Sequence, residues 1–276
     1  MAAPVKEAKR RGTAPVPSII DYIDRLITVE IRNPAMPHSM IAPLYEAARA
    51  EGGGDPLTFR AAEGLIREVG PGDVVLINTG AGSGELIPNG ENDGPVGAAV
   101  LARALLRGLK ATPIYVCESI HAGPIAASSE AAGVGIRSLD VALRTHVGGA
   151  IVSTPDNPDE VAAWSEKLLD DLKPKAIVAT ERLGPNAKGV IHGSTGIATK
   201  PITDSSPLFA AAAKRGIFSI GIGDAGNEIG FGRIYDDVRT IQDPWGRLCQ
   251  CPCKDGMATI VPTDVLIVAA VSNWGC

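Results

Sequence analysis

The chain has 276 residues, of which 45% are hydrophobic and 4% aromatic, and it carries a net charge of −5. This length and composition suit a compact α/β enzyme with a full core, and they exclude both a basic, aromatic-rich nucleic-acid-binding surface and an apolar run long enough to span a membrane. The N-terminus lacks the apolar segment of a secretory signal and the five cysteines are an odd number, so we expect reduced thiols and a cytoplasmic location.

The N-terminal quarter of the chain is predicted to contain helices and no strands. Residues 1–17 contain three prolines and a cluster of Lys and Arg, which predicts a flexible arm. Ser18 can cap a helix that ends near residue 30, and two more helices are predicted at 38–50 and 56–69. We therefore expect an N-terminal helical extension within a single α/β domain that covers residues 18–276.

From residue 73 onward, short apolar runs alternate with helical segments. The predicted strands lie at 73–78, 112–117, 150–153, 176–180, 217–222 and 265–270, with a further short strand at 257–261. The predicted helices lie at 95–109, 124–133, 138–145, 158–172 and 207–214. This alternation predicts a mainly parallel sheet with helices on both faces.

Polar, glycine-containing segments follow four of the predicted strands. They are 78–84 together with 91–95, then 181–184, 223–230 and 272–275. In open parallel sheets, ligands bind beyond the carboxyl ends of the strands, so we expect one shared acidic pocket. The segment 223–230 is the most informative, because three glycines allow a tight turn around two carboxylates and an amide.

Each of these segments also has a plainer interpretation. The glycine run 80–84 lacks the spacing of a dinucleotide fingerprint and the lysine of a P-loop, which favours a turn or a loop around a small anion. The acids before Pro95 can be helix caps, residues 181–182 can form a surface ion pair, and the acids of 223–230 can form the turn itself. Their position directly after buried strands favours the site interpretation.

Three cysteines at alternate positions raise the question of a metal site. In an extended segment, Cys249, Cys251 and Cys253 lie on one side. Structural zinc sites usually have two-residue spacers and a second pair of ligands, so this pattern indicates a metal only weakly. Of the four histidines, His121 follows the second predicted strand and can enter the pocket, and His192 is a further candidate for it.

Taken together, the polar segments resemble those of the D-glutamate cyclase C-terminal-domain family. Residues 223–232 are similar to its signature, which is close to Gly-Asp-Gly-Gly-Asn-Glu-Ile-Gly-Met-Gly. Residues 91–98, 181–184 and 271–275 resemble, in the same order, an acidic-Gly-Pro segment, a Glu-Arg-x-Gly strand end and a Ser-Asn-Trp-Gly segment of the family. The resemblance covers about residues 15–275, and the matching motifs lie from about residue 73 onward.

Two features depart from the family pattern. Where the family usually has Asp-Gly-x-Tyr-x-Asn-Met-Arg-Gly, residues 188–196 read Lys-Gly-Val-Ile-His-Gly-Ser-Thr-Gly, which makes a substrate other than D-glutamate a serious alternative. The family also usually continues past the Ser-Asn-Trp-Gly segment into another helix, whereas this sequence stops at Cys276. A truncated sequence is one interpretation of that difference.

The resemblance implies a hydro-lyase that cyclises D-glutamate to 5-oxo-D-proline with loss of water. The alternatives are a related hydratase or a lactam or lactone hydrolase that acts on another small carboxylate, and a small-acid binding protein without turnover. Cyclisation needs a neutral amine, a distal carboxyl with reduced negative charge and an acid for the departing oxygen.

Candidate residues follow from the resemblance and from the strand ends. The predicted catalytic residues are Asp224, Glu228 and Glu181. The predicted substrate-binding residues are Arg182, Asn227, Glu91, Asp93, Asn273, Ser83 and His192. The sequence does not decide whether a metal is bound. Oxygen ligands would favour Mg²⁺ or Mn²⁺, with Asp224, Glu228 and Asp93 as candidate ligands. We expect a small carboxylate or amino acid as the substrate, a homo-oligomer, and no nucleic-acid or membrane partner.

Overall fold

A computed structural model describes residues 18–31, 38–82, 87–199 and 202–276. The arm predicted at 1–17 and the site candidate Ser83 lie outside these described residues. Statements about the structure below refer to the described ranges.

The described residues form one six-stranded sheet in which every pair of neighbouring strands is parallel. Its strands are β1 (Val74–Thr79), β2 (Thr112–Cys117), β3 (Ala150–Ser153), β4 (Ala176–Thr180), β5 (Phe218–Gly223) and β6 (Val265–Val268). All residues of β1, β2, β4 and β6 are buried, as expected for parallel strands covered on both faces. The predicted α/β fold with a mainly parallel sheet is confirmed.

Helices surround this sheet, and three of them precede it in the chain. The helices are α1 (Ser18–Ile27), α2 (Ile41–Glu51), α3 (Leu57–Glu68), α4 (Pro95–Ala104), α5 (Ala122–Ala131), α6 (Leu139–Thr145), α7 (Val161–Leu172), α8 (Ser206–Arg215), α9 (Tyr235–Ile241) and the four-residue α10 (Ser272–Gly275). The N-terminal helical extension is therefore present as predicted.

The sheet separates two apolar cores. Val75 and Ile77 of β1 belong to one core, which includes buried residues of α2 and α3. Leu76, which points to the opposite face, belongs to a second core that includes buried residues of α7 and α8. Alternate residues of one strand thus enter different cores, which is the expected consequence of side chains alternating along a strand.

The N-terminal helices are fixed to the sheet by specific polar contacts. The buried carboxylate of Asp24 in α1 accepts hydrogen bonds from the backbone N–H groups of Leu57 and Thr58 at 2.8 and 2.9 Å, and so caps α3. The N–H of Ala270, just after β6, donates to the carbonyl of Ile27 at 2.7 Å. These contacts attach α1 to α3 and to the carboxyl end of the sheet.

The predicted short strand at 257–261 is absent, and the reason lies in its backbone partners. Met257 donates to the carbonyl of Trp245, Thr259 to that of Gly226 and Ile260 to that of Pro185, at 2.8, 3.2 and 3.0 Å. These N–H groups bind loops instead of a neighbouring strand, so residues 257–261 form no ladder. Helix α9 was not predicted from the sequence.

The strand order β3-β2-β1-β4-β5-β6 changes direction between β1 and β4. From β1 the chain proceeds to β2 on one side, and from β4 it proceeds to β5 on the other. In sheets of this kind, a crevice opens at the carboxyl ends of the two central strands. The loops after β1 and β4 therefore occupy the position where a ligand site is expected.

Candidate active site

Three carboxylates from different parts of the chain meet at the carboxyl edge of the sheet. Glu181 follows β4, Asp224 follows β5, and Asp93 precedes α4; one oxygen from each lies within 4.8 Å of the others. We call these three residues the carboxylate cluster. The structure thus brings together acids that the strand-end rule predicted would share a pocket, although they are up to 131 positions apart in the sequence.

Glu181 occupies an unusual backbone position in this cluster. Its φ is 44°, in the left-handed region that residues other than glycine rarely adopt, and it is 7% exposed. The hydroxyl of Ser272 donates to Glu181 Oε2 at 2.6 Å. Burial, followed by the negative charge of Asp224 and of the other nearby acids, raises the pKa of Glu181 well above its ordinary value. This shift favours the protonated form of the Glu181 carboxyl, the form that can donate a proton.

Asp93 joins the start of α4 to the start of α10. Its carboxylate accepts hydrogen bonds from the backbone N–H groups of Ser272, Asn273 and Gly94 at 3.0, 2.7 and 2.9 Å. The side-chain oxygen of Asn273 in turn accepts from Gly94 and Gly97 at 2.9 and 2.7 Å. These contacts hold both helices in place, and the substrate-binding roles predicted for Asp93 and Asn273 remain predictions.

Glu228 shapes the loop that carries Asp224. Its two carboxylate oxygens accept hydrogen bonds from the backbone N–H groups of Asp224, Ala225 and Gly226 at 2.6, 2.9 and 2.7 Å, and its side chain is fully buried. A carboxylate that binds three consecutive backbone N–H groups fixes their conformation. These contacts give Glu228 a positioning role, and the catalytic and metal-binding roles predicted for it stay predictions.

Arg182 is engaged entirely within the protein. Its fully buried guanidinium donates to both oxygens of Glu118 at 2.6 and 2.8 Å, to Ser205 Oγ at 3.1 Å, and to the carbonyls of Gly80 and Thr203 at 3.1 and 2.6 Å. These contacts use all five N–H donors of the side chain. The fork predicted to bind a substrate carboxylate therefore already binds Glu118, and the substrate-binding role stays a prediction.

Glu118 is a site residue that sequence reasoning missed. It lies directly after β2, so the strand-end rule applied to every strand would have found it. Burial alone would raise its pKa, but the charge of Arg182 and the hydrogen bonds from His121 and Thr203 hold the pKa of Glu118 well below its ordinary value. Glu118 and Arg182 thus form a buried, charge-assisted pair that connects the ends of β1, β2 and β4.

His121 belongs to the same network. Its Nδ1 lies 3.1 Å from Glu118 Oε2, and its Nε2 lies 3.0 Å from the carbonyl oxygen of Gly82. The imidazole packs tightly against the loop after β1, because a Cβ added at Gly80 would lie 2.7 Å from His121 Nδ1. Gly80 also has a φ of +107°, so both space and backbone conformation require glycine at this position.

Glu91 and Thr79 contribute further polar atoms near the cluster. Burial, together with the charges of Asp93 and Glu228, raises the pKa of Glu91 to about 7. The buried hydroxyl of Thr79 has no hydrogen-bond partner among the described residues. It lies close to Glu181, because a Cβ added at Gly94 would be 2.7 Å from Thr79 Oγ1 and 2.8 Å from Glu181 Cβ.

The carboxylate cluster has the donor atoms of a hard-cation site. Three carboxylate oxygens lie close enough to contact one ion. The Thr79 hydroxyl, which has no hydrogen-bond partner among the described residues, lies near the Cβ of Glu181. Oxygen donors of this kind suit Mg²⁺ or Mn²⁺. Two of the three residues, Asp93 and Asp224, are candidate metal ligands from the sequence, and the third, Glu181, is a predicted catalytic residue. The metal-binding role predicted for Glu228 stays a prediction.

A family model described as D-glutamate cyclase-like, C-terminal, matches residues 44–276. The chain belongs to this D-glutamate cyclase-like family. Over 195 residues it is 30% identical to human D-glutamate cyclase, mitochondrial, a match that covers 68% of this chain and 29% of the human protein. The chain therefore spans less than a third of the length of that relative.

Two solved structures have a distant likeness to this chain. A short-chain type dehydrogenase/reductase from Mycobacterium ulcerans is 14% identical, with a TM-score of 0.29 over 56% of this chain and 52% of its own. A mycobacterial protein complexed with NADPH is 17% identical, with a TM-score of 0.26 over 76% of this chain and 65% of its own. At these TM-scores neither likeness carries an argument about this family member.

No helix in the described ranges is long and apolar enough to cross a membrane.

Asn227 and His192, two further predicted substrate-binding residues, lie where the signature loop 223–230 contacts the loop 188–196. Asn227 Nδ2 donates to the carbonyl oxygen of His192 at 2.7 Å, while the buried Asn227 Oδ1 has no partner within the described ranges. The imidazole of His192 contacts Cys251 and Cys253. This arrangement places the His192 side chain in a second cluster, and its substrate-binding role stays a prediction.

Proposed function

We propose that this chain is a D-glutamate cyclase-like hydro-lyase that converts D-glutamate, or a closely related small amino acid, into 5-oxo-D-proline or an analogous lactam with loss of water. One observation carries the proposal. In a chain of the D-glutamate cyclase-like family, Asp93, Glu181 and Asp224 converge at the crevice of a parallel sheet. The name of the human relative supports D-glutamate as the first substrate to test.

Cyclisation makes one bond and breaks another. The amine nitrogen bonds to the distal carboxyl carbon, and a carbon–oxygen bond of that carboxyl breaks to release water. The ammonium form of the substrate must lose a proton before it attacks, and the departing oxygen must gain protons. In all, the nitrogen loses two protons, one before the attack and one from the tetrahedral intermediate, and the departing oxygen gains two. Two carboxyl groups that begin in different protonation states can carry these protons. The site returns to its starting state once each group has both gained and lost one proton.

We assign these transfers to two members of the carboxylate cluster. Asp224, held by the backbone that Glu228 fixes, accepts a proton from the substrate ammonium. Glu181, whose raised pKa favours the protonated form, donates one proton to the departing oxygen and regains one from the nitrogen of the tetrahedral intermediate. Asp224 then gives its proton to the same oxygen, so that water leaves. The neighbouring negative charges also attract the ammonium group, which orients the amine toward this side of the site.

The distal carboxylate of the substrate also has to be accommodated among these acids. Since the five donors of Arg182 are engaged, the charge must be offset by a proton or by a cation. Asp93, Glu181 and Asp224 are the residues that would hold Mg²⁺ or Mn²⁺, and a bound ion would polarise the substrate carboxyl. Cation binding at this position would displace the proton of Glu181. Chelation should therefore lower turnover if a cation offsets the substrate charge, and should not lower it if a proton does.

One observation favours a different small acid as the substrate. The loop 188–196 departs from the family pattern, and it contacts the signature loop through the hydrogen bond between Asn227 and the His192 carbonyl. A changed loop at this position would alter the substrate pocket while leaving the carboxylate cluster intact. The same proton transfers run in reverse would hydrolyse a lactam or lactone, so a hydrolase of another small carboxylate is the second candidate function.

The test is direct conversion followed by chiral chromatography and mass spectrometry. The purified chain is incubated with D-glutamate, L-glutamate, and a panel of small amino acids, hydroxy acids and lactams. Each reaction is run as purified, after chelation, and after chelation with added Mg²⁺ or Mn²⁺. We expect formation of 5-oxo-D-proline, or turnover of another panel member, that Glu181→Gln abolishes and that Glu63→Gln, a change at an exposed glutamate, leaves unchanged.

Two results would overturn the proposal. One is saturable binding of an acid without turnover of any panel member under all three metal conditions, which would indicate a binding protein. The other is equal turnover by wild type and Glu181→Gln, which would place the chemistry away from the carboxylate cluster.

A further inference from the structure

Four side chains outside the carboxylate cluster form a second compact group. The Sγ atoms of Cys249, Cys251 and Cys253 are separated by 3.5, 3.3 and 3.2 Å. His192 Nε2 lies 3.3 Å from Cys251 Sγ and 3.8 Å from Cys253 Sγ. One ligand atom from each of the four residues lies within 4.8 Å of all the others. We call this group the thiol–imidazole cluster.

The spacing of the sulfur atoms matches a metal site better than a disulfide. Tetrahedral Zn²⁺ with bonds of about 2.3 Å to sulfur would separate the sulfur atoms by about 3.8 Å. The separations of 3.2 to 3.5 Å need only a small outward movement to reach that geometry. A disulfide would require one pair at about 2.05 Å, but the three pairs are nearly equidistant, and no pair is set apart from the third thiol.

The surroundings of the cluster also match those of a metal ligand set. His192 Nδ1 lies 3.0 Å from the carbonyl oxygen of Val190, which favours the tautomer that directs the lone pair of Nε2 toward the sulfur atoms. Asn186 Nδ2 donates to Cys253 Sγ at 3.4 Å, and the N–H of Cys253 donates to Cys251 Sγ at 3.4 Å. Hydrogen bonds of this kind stabilise negatively charged thiolates and orient metal ligands.

We propose that His192, Cys249, Cys251 and Cys253 bind one structural Zn²⁺ ion. Three thiolates and one imidazole are a common structural zinc set, and four protein ligands leave no open position for substrate. Soft sulfur donors also separate this site chemically from the oxygen donors of the carboxylate cluster.

The ion joins two loops beside the signature loop. His192 belongs to the loop 188–196, and the cysteines belong to the segment 245–257. The backbone N–H of Gln250 donates to the carbonyl of Gly196 at 2.8 Å, and its side chain donates to that of Thr195 at 3.0 Å. The carbonyl oxygen of His192 also accepts a hydrogen bond from Asn227. By holding His192, the metal therefore fixes the loop 188–196 next to the signature loop that carries Asp224.

The test begins with the full chain purified under reducing conditions without chelator. Elemental analysis is expected to find one Zn²⁺ per chain, retained after brief EDTA treatment and released by a mercurial reagent that modifies thiols. Replacement by Co²⁺ is expected to give the intense visible bands of a tetrahedral ion together with thiolate-to-cobalt charge-transfer bands. The carboxylate cluster cannot produce those charge-transfer bands, so the spectrum identifies the site even if variants fail to fold.

Variants then assign the ligands. Cys251→Ser and His192→Asn should each lower bound zinc at least tenfold and weaken the cobalt charge-transfer bands. Cys276→Ser is the matched control, because Cys276 is a thiol outside the cluster that contacts Thr180, and it should keep the full metal content. The proposal is overturned if the reduced wild-type chain binds no zinc, if brief EDTA removes it, if Cys251→Ser retains it, or if thiol titration of the native chain reveals a disulfide among Cys249, Cys251 and Cys253.

Discussion

The carboxylate cluster and the thiol–imidazole cluster both adjoin the signature loop 223–230, yet they are assembled in different ways. The carboxylate cluster is built from residues that directly follow strands or precede a helix, so the sheet itself sets its position. The thiol–imidazole cluster is built from two loops that contact each other, and none of its four residues directly follows a strand. One offers hard oxygen atoms and the other soft sulfur atoms, so the two should differ in the ligands they bind and in the effects of substitution.

The largest expected effect separates the clusters by function. Asp224→Asn removes the proposed proton acceptor, so turnover should fall by about 10²–10⁴-fold, the usual contribution of a general acid or base. Zinc content should not change, because Asp224 is not part of the thiol–imidazole cluster. The measurement is the rate of product formation alongside elemental analysis, with the exposed Asp237→Asn as the control. Retention of wild-type turnover would show that the carboxylate cluster is not where the chemistry occurs.

The next effect concerns the buried ion pair between Glu118 and Arg182, which joins strand ends near the carboxylate cluster. Glu118→Gln leaves the buried charge of Arg182 without its partner, which should lower the free energy of unfolding at pH 7 by about 3–5 kcal/mol. Urea unfolding followed by circular dichroism measures this change. The exposed Glu130→Gln is the control and should shift the free energy by less than about 0.5 kcal/mol.

The same variant gives a pH prediction with a definite sign. The pKa of Glu118 is held below its ordinary value of 4.5, so the pair stabilises the folded state above about pH 4.5 and loses that contribution as the pH falls. The stability difference between wild type and Glu118→Gln should therefore shrink on acidification. A difference that stays constant from pH 7 to pH 4 would mean that Glu118 does not titrate with a lowered pKa.

A smaller effect should appear at the contact between the signature loop and the loop that carries His192. Asn227→Leu keeps the side-chain size but removes the hydrogen bond to the buried His192 carbonyl, so we expect a loss of about 1–3 kcal/mol in the free energy of unfolding. Zinc affinity, measured by competition with a chromophoric chelator, should fall as well, since the loop that carries His192 is less constrained. Asn89→Leu, in an exposed turn, is the control. Unchanged zinc affinity together with unchanged stability would mean that the two clusters are independent.

The carboxylate side could be predicted from local sequence because its signals are local. A run such as 176–180 indicates a buried strand, and the residue that follows it must lie at the carboxyl edge of a parallel sheet. Glu181 and Asp224 were identified in this way without knowledge of the strand order. Helix boundaries were less exact: the predicted helix 95–109 is α4 followed by a π-helical turn over Leu105–Leu109.

The partners of these residues could not be predicted, because they depend on which strands are neighbours. Arg182 and Glu118 are 64 positions apart, and they meet only because β1 lies between β2 and β4. His192 and Cys251 are 59 positions apart, on loops without a periodic pattern. The Cys-x-Cys-x-Cys spacing indicated a metal only weakly, because the proposed fourth ligand, His192, lies in a loop that is distant in the sequence.

The smallest expected effect tests whether the unpaired hydroxyl beside the carboxylate cluster serves a ligand. Thr79 Oγ1 is buried without a partner among the residues that the structure describes, so Thr79→Val should leave the free energy of unfolding unchanged or raise it by up to about 1 kcal/mol. Thr112→Val is the matched control on the neighbouring strand, because Thr112 Oγ1 lies 2.9 Å from His146 Nδ1, and it should cost about 1 kcal/mol. If the hydroxyl contacts substrate or a cation, Thr79→Val should still reduce turnover or Mg²⁺ affinity several-fold, while Thr112→Val should not. Equal destabilisation by the two variants would mean that Thr79 has a protein partner in the folded state, and its hydroxyl would then not be available to a ligand at the carboxylate cluster.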